Sequence, residues 1–303
     1  MLDHPTNNLT KRQIWWLAIR PRTLPASTAG VVTGTAVAIL AGKFSWLPAL
    51  AALAVALLLQ IASNLANDVF DFEHGKDTSA RVGPVRVTAA RLLTPAQVKR
   101  GLACVVILAA LIGLYLAFVT GWPVILIGLA AIGSAILYTG GPYPLGYHGF
   151  GDLFVFLFFG LAAVTGTYYV QAGSTAPAAW LMSIPLGLLV VNLLVVNNLR
   201  DIHTDAAVGK RTLAVRLGVR NTKLNYLIWF ILAYLAIPVY ILFQIIPSWS
   251  MLVCLSIPEG IRLLKMVFTR EGRDLNPALA GTGRLALIYA VLFLISVLLA
   301  VIL

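Results

Sequence analysis

The sequence predicts an all-α, polytopic membrane bundle, and three observations carry that prediction. Of its 303 residues, 60% are apolar and only 11% are charged, against about a quarter in soluble domains. Mean hydropathy is strongly positive. Apolar stretches near the length that crosses a bilayer core of about 30 Å recur from end to end. A soluble protein with an outsized core is excluded, because so few charged side chains cannot cover its surface.

Nine spans are expected, with apolar cores near 24–41, 46–66, 102–120, 123–139, 153–172, 179–198, 226–246, 249–264 and 285–303. Before the first come Trp15 and Trp16, natural interface anchors. Arg20-Pro21-Arg22 follows, where the two arginines either snorkel or reach a ligand. Ala36-Val37-Ala38 loosely resembles a signal-peptidase site, but the Arg-Pro-Arg entry suits a membrane helix better. Gly30 and Gly34 give the first span a small-xxx-small packing face. Short links near 42–45, 121–122, 173–178 and 247–248 pair the spans as hairpins. Pro258 and Glu259 interrupt the eighth. Cys104 and Cys254 lie far apart in apolar runs and read as small hydrophobes.

Charge orients the bundle. Of 22 Lys and Arg, all but Lys43 fall on one side, as do all 11 Asp and Glu. The positive-inside rule puts that side, with the N-terminus, in the cytoplasm of a cell (inner or plasma) membrane. The net charge of +11 is therefore a matter of topology, and nucleic acid need not be a partner. The counter-side links leave no room for an external domain, so residues 1–303 form one membrane domain with its chemistry on the cytoplasmic side.

Two segments on that side match. After span 2 the chain reads Ser63-Asn64-Leu-Ala-Asn67-Asp68-Val-Phe-Asp71-Phe-Glu73-His74-Gly75-Lys76-Asp77-Thr78. After span 6 it reads Asn197-Asn198-Leu-Arg200-Asp201-Ile-His203-Thr-Asp205-Ala-Ala-Val-Gly209-Lys210-Arg211-Thr212. In both, Asn precedes Asp by four, a second Asp precedes Gly by four, and Gly-Lys-x-Thr follows. Residues 64–78 and 197–212 thus form an internal repeat. The spacings put Asn64, Asp68 and Asp71 on one helical face, and Asn197, Asp201 and Asp205 on another. Carboxylates stacked near a membrane interface repel strongly unless a cation bridges them. Oxygen-only donors favour Mg²⁺, which keeps one or two carboxylates and completes its shell with water and phosphate oxygens. Arg22, Arg81, Arg86, Lys210 and Arg211 in adjoining loops are suited to the remaining phosphate charge. Acidic side chains rising from membrane helices are costly and mark function. His74 and His203 read as loop polar residues.

These residues resemble the UbiA superfamily of intramembrane prenyltransferases, whose two signatures look like Asn67-Asp68-x-x-Asp71 and Asp201-x-x-x-Asp205. Arg20-Pro-Arg22-Thr-Leu-Pro25, Arg81-Val-Gly-Pro84-Val-Arg86, Tyr138-Thr-Gly-Gly-Pro142-Tyr-Pro-Leu-Gly146-Tyr147 and Leu275-Asn-Pro-Ala-Leu279 are similar to its 1,4-dihydroxy-2-naphthoate polyprenyltransferase branch. That branch usually has Glu where this chain has Asp152, a swap that shortens the reach toward an acceptor.

The resemblance implies helices around a central cavity open to cytoplasm and lipid. It implies transfer of a polyprenyl or phytyl group from its diphosphate to dihydroxynaphthoate with loss of CO₂, giving demethylmenaquinone or demethylphylloquinone. Mg²⁺ held by Asn64, Asp68, Asp71, Asn197, Asp201 and Asp205 would stabilise the departing diphosphate. Asn67, Arg22, Lys76, Asp77, Arg81, Arg86, Tyr147, Asp152, Lys210 and Arg211 would contact the polyprenyl diphosphate or the aromatic acceptor acid. Tyr138 would face the allylic cation or serve as an interface tyrosine. His148 is a further candidate for the acceptor carboxylate. Other readings are prenylation of 4-hydroxybenzoate, homogentisate or haem, or a transporter with midplane ion sites. The last fits poorly with acidic groups gathered at helix ends on one side.

Overall fold

The computed structural model describes residues 9–77 and 82–303, and every regular element among them is helical. Helix α1 (Lys11–Ile19) starts at a capping box, Thr10 and Gln13 exchanging side-chain and backbone hydrogen bonds. Arg20 then turns left-handed, with φ 55°, and sends the chain into α2 (Leu24–Leu40). Next come α3 (Trp46–Glu73), α4 (Pro95–Thr120) and α5 (Pro123–Leu137). Helix α6 (Gly151–Ala172) carries a π-helical stretch at Phe156–Ala162. Helix α7 (Pro177–Arg200) breaks into the short α8 (Ile202–Ala207), and α9 (Leu213–Leu242) is kinked at Gly218, whose φ of 77° only glycine adopts readily. Helices α10 (Ile257–Thr269) and α11 (Asn276–Ile302) complete the chain.

Among the described residues, seven helical segments are long and apolar enough to cross a membrane, and Pro123–Leu137 is a shorter apolar helix. The chain is a multi-pass membrane protein. The eighth expected span, 249–264, is not one α-helix. Ser248–Ser256 winds as a 3₁₀ helix and passes into α10 at Ile257-Pro258. At about 2.0 Å and 1.5 Å of rise per residue, the two pieces together still have the reach of a span. On the charged side the helices overrun their apolar cores. Helix α3 continues to Glu73, α4 begins at Pro95 behind a Thr94–Gln97 capping box, and α9 begins at Leu213. Apolar runs mark only the stretch in hydrocarbon, whereas the helix ends where a cap or glycine stops it.

Two of the three packed clusters of described residues frame the interior. One joins α2, α6, α7, α9 and α11 through Val37, Leu186, Leu189, Ile237, Tyr289 and Phe293. The other joins α1, α3, α4 and the 82–94 loop through Ala18, Leu65, Val69, Val87 and Val98. The expected Gly30/Gly34 face packs closely on α6: a methyl on Gly30 would lie 2.5 Å from the Ala163 Cβ, and one on Gly34 would strike the Val164 carbonyl. Helix α5 has no buried residue, so it closes the bundle as an outer wall. Trp46, Trp122, Trp180 and Trp249 are exposed at the counter-side ends of the helices, the depth of an interfacial belt.

Candidate active site

A cavity of about 520 Å³ lies between the clusters, walled by α2 to α7. Its mouth is built by the two acidic segments, which close with the same turn. Gly75 and Gly209 are both left-handed, at φ 65° and 76°. The Lys76 amide donates to the Asp71 carbonyl at 2.8 Å, and the Lys210 amide donates to the Asp205 carbonyl at 2.9 Å. Each Asp therefore sits four residues before a glycine because that glycine terminates its helix in a Schellman turn. Each turn swings its lysine across to the other segment. Lys76 Nζ donates to the Val208 carbonyl at 2.5 Å, and Lys210 Nζ donates to Asp71 Oδ1 at 2.9 Å.

Asp71 is the focus of charge at the mouth. Arg86 Nη2 donates to its Oδ2 at 2.8 Å, and the Tyr147 hydroxyl donates to its Oδ1 at 2.6 Å. Lys210 also stands 4.7 Å over the Tyr147 ring, a cation–π contact. Burial, then the Asp71 charge, pushes the Tyr147 phenol well above its ordinary range, so it stays protonated and a donor. Asp201 is held by its own neighbour: Arg200 Nε and Nη2 reach its two oxygens at 2.9 and 2.6 Å. The same guanidinium donates to Asn197 Oδ1 at 2.9 Å and to Asn276 Oδ1, at the start of α11, at 3.0 Å.

Of the residues singled out from sequence, Asn64, Asn67, Asp71, Arg86, Tyr138, Tyr147, Asn197, Asp201, Asp205 and Lys210 line this one cavity. The others lie elsewhere. Asp68 is buried, but its oxygens accept from the Val87 and Thr88 amides at 3.0 and 2.9 Å, with Arg20 3.6 Å away. Toward the mouth the wall face of α3 is Gln60, Ser63, Asn64, Asn67 and Asp71, and Asp68 sits beside it, where it anchors the 82–94 loop. Asn64 also turns partly outward, donating to the Ile19 carbonyl at 2.8 Å and to Thr23 Oγ1 at 2.9 Å. Asp77 lies 3.6 Å from Arg86 Nε. Arg22 and Arg211 have exposed side chains, although the Arg211 amide donates to the Tyr147 carbonyl. Asp152 is not on the cavity wall; it lies toward α9 with Thr222 and Asn225, beside Asn198, which does line the cavity. Arg81 lies outside the described residues. His148 stacks on Tyr143 with 3.6 Å between centroids.

Tyr138 owes its place to two glycines. Side chains at Gly146 and Gly151 would collide with its ring and hydroxyl, so the Gly-rich loop is small where the tyrosine must fit. Sequence reasoning passed over Thr23, Gln60, Ser63 and Arg200 on the cavity wall, and left Arg20, which also lines it, between snorkelling and ligand contact. Gln60 was visible as an amide one turn before Asn64 inside an apolar run. Arg200 was visible as a charge at the end of a span. Among the described residues no three Asp, Glu, His or Cys side chains gather into a metal cluster. The wall instead offers oxygen donors spaced singly, with cations between them.

The fold and site together define a multi-pass membrane protein whose acid- and base-lined mouth opens onto an apolar cavity. The sequence profile of the UbiA prenyltransferase family matches residues 28–274. The chain is 42% identical over 277 residues to the 1,4-dihydroxy-2-naphthoate octaprenyltransferase of Mycobacterium tuberculosis, covering 91% of this chain and 94% of that one. It is 36% identical over 299 residues to the Escherichia coli enzyme of the same name, covering 96% and 97%. Its fold is similar to that of a UbiA homologue from Archaeoglobus fulgidus bound to GPP and Mg²⁺, with TM-score 0.65, 13% identity and coverage of 96% and 100%. The chain belongs to the UbiA prenyltransferase family.

Proposed function

We propose that this protein transfers a polyprenyl group from its diphosphate to 1,4-dihydroxy-2-naphthoate, with loss of CO₂, at the cytoplasmic mouth of its cavity in the cell membrane. What supports the reading most is a single arrangement: both acidic segments face one cavity and reach across it to each other, Lys210 to Asp71 and Lys76 to Val208. An apolar chamber with a charged mouth suits an amphiphile with a diphosphate head and a hydrocarbon tail. The orientation follows from the Lys and Arg excess on the motif side.

The donor set fits Mg²⁺. Asp71, Asp201 and Asp205, with the Asn67 and Asn197 amides, present only oxygen ligands, and their single spacing suits an ion that takes few carboxylates and completes its shell with phosphate oxygens. Bound there, the metal would act as a Lewis acid on the diphosphate. Asp68 and Asn64 would act by holding the 82–94 loop and the α1–α2 turn in place.

The chain's own part follows from the geometry. Arg86 and Lys210, paired with Asp71 here, are placed to turn to phosphate oxygens once a head group arrives, and so to stabilise negative charge as the allylic C–O bond breaks. Arg200 orients Asp201 and Asn197 toward the same head group. The ring of Tyr138 lines the chamber where the allylic carbon would lie. The apolar walls exclude water that would otherwise quench an allylic cation. The electron-rich ring carbon bearing the carboxylate forms the new C–C bond, and the electron pair of the departing CO₂ restores the naphthalenediol. No protein nucleophile is needed. A tail of several isoprene units exceeds a chamber in the ordinary ligand-pocket range of about 300–1,000 Å³. Leu114, Ile125 and Leu129 both line the cavity and are exposed, so the tail would leave between α4 and α5 into lipid.

Purified protein in vesicles with Mg²⁺ and octaprenyl diphosphate tests this against dihydroxynaphthoate, 4-hydroxybenzoate and homogentisate, by mass spectrometry of the lipid product. A decarboxylated naphthoquinol is expected. Product from only the other two acceptors would overturn the acceptor assignment.

A further inference from the structure

Glycines in the membrane segments fall into two kinds. Gly30, Gly34, Gly160 and Gly187 let helices touch, because a methyl on any of them would collide with a neighbour. Gly113, Gly128 and Gly166 do the opposite: a methyl on each would meet nothing within 4 Å, and all three line the cavity. They therefore contribute no packing. Glycine weakens a helix interior relative to alanine, and the only thing gained at these positions is space.

The three share a depth. Gly113 stands seven residues before the end of α4 at Thr120, Gly128 five after the start of α5 at Pro123, and Gly166 six before the end of α6 at Ala172. Ala52, six residues into α3, lines the cavity at the same level. Asp71 is nineteen residues further along that helix, about 28 Å at the α-helical rise. By residue count from the helix ends, the small residues lie on four helices at one level in the half of the chamber remote from the charged mouth, beside the exposed lining residues Ile125 and Leu129.

We propose that Gly113, Gly128 and Gly166, with Ala52, form the aperture through which a long prenyl tail leaves the chamber, and that their lack of side chains is what admits long-chain donors. The inference rests on the prenyl-transfer reading and deepens it. A geranyl chain of two isoprene units, its diphosphate at Asp71, ends well short of this ring, whereas an octaprenyl chain must pass it. Filling the ring discriminates by length and spares the chemistry.

The test is the ratio of kcat/KM for octaprenyl diphosphate to that for geranyl diphosphate, in purified wild type, G113L, G128L, G166L, the three matching alanine variants, and G133L. Gly133 also has open space around it but is not on the cavity wall. The leucine variants should lower the ratio about tenfold or more and the alanine variants less, since a four-carbon side chain fills space that a single methyl only narrows. G133L should keep the wild-type ratio. Alanine adds one methyl into open space, so those variants keep the fold and the geranyl activity. An unchanged ratio in the G113, G128 and G166 series, or an equal fall in G133L, would overturn the aperture. Failure of the prenyl-transfer reading shows separately, as wild type inactive with both donors.

Discussion

Replacing Asp71 with Asn removes one charge and leaves the shape. In the structure that carboxylate receives three donors: Arg86 at 2.8 Å, Tyr147 at 2.6 Å and Lys210 at 2.9 Å. Its side chain is 3% exposed and that of Arg86 is 6% exposed, so water cannot replace the lost charge. Stripping one partner from such a buried pair costs about 3–5 kcal/mol. An Asn amide must also turn its N–H donors either toward Arg86 or toward Lys210 and Tyr147, so donor meets donor on one side. The expected outcome is a lower melting temperature in detergent, together with a fall in prenylation of about 10²–10³, the scale of losing one electrostatic contact to developing charge. The Mg²⁺ concentration for half-maximal activity should also rise. Melting by intrinsic fluorescence and a Mg²⁺ titration of activity in vesicles read these out. Wild-type stability with activity within a few-fold of normal would refute the reasoning, because Asp71 would then neither anchor the mouth nor meet the donor head.

Other outcomes follow from the same geometry. Asp68→Asn should leave the half-maximal Mg²⁺ concentration near wild type while lowering stability by about 1–3 kcal/mol, since its oxygens serve the Val87 and Thr88 amides; a large shift in Mg²⁺ dependence would return Asp68 to the metal. Arg200→Lys should cut kcat/KM about a hundredfold at nearly normal expression, because a lysine cannot reach Asp201, Asn197 and Asn276 together. Gly34→Val should destabilise the bundle by about 1–3 kcal/mol or more through collision with Val164 and Thr167, with unchanged KM in whatever protein folds. Chelation of divalent ions should abolish activity and leave the melting curve close to that of the untreated ligand-free protein, because none of the three packed clusters contains an expected metal ligand.

The spans and the paired motifs were legible in the sequence because both rest on short-range physics. A bilayer demands apolar runs of fixed length, and acidic residues at the ends of such runs stand out. Even the Asp-x-x-x-Gly-Lys spacing has a local cause in the Schellman turns at Gly75 and Gly209. What stayed hidden depended on packing between distant segments. Asn67 and Asp68 are adjacent and point to different faces of α3, and the packing of that helix in the bundle decides that Asn67 faces the cavity while Asp68 meets the Val87 and Thr88 amides. Asp152 was expected near the acceptor from its place after the Gly-rich loop, and its position one layer behind the cavity wall, beside Asn198 and toward α9, depends on how α6 packs on α7 and α9. Arg200 was counted only as a topogenic charge, because its fork meets Asn276 from the far end of the chain. The eighth span was expected to be interrupted at Pro258 and Glu259, but the 3₁₀ winding before that point stayed hidden, since apolar content does not separate a 3₁₀ winding from an α-helix.

The central claim is that the two acidic segments grip one diphosphate. Binding of an unreactive prenyl thiolodiphosphate with Mg²⁺ can be measured by calorimetry for wild type, D71N, D201N and the double variant. The account predicts that each single change weakens binding at least about tenfold, and that the double change costs clearly less than the two losses combined, as coupled sites require. Losses that add fully, or a D201N protein that binds like wild type, would show two independent segments and contradict it.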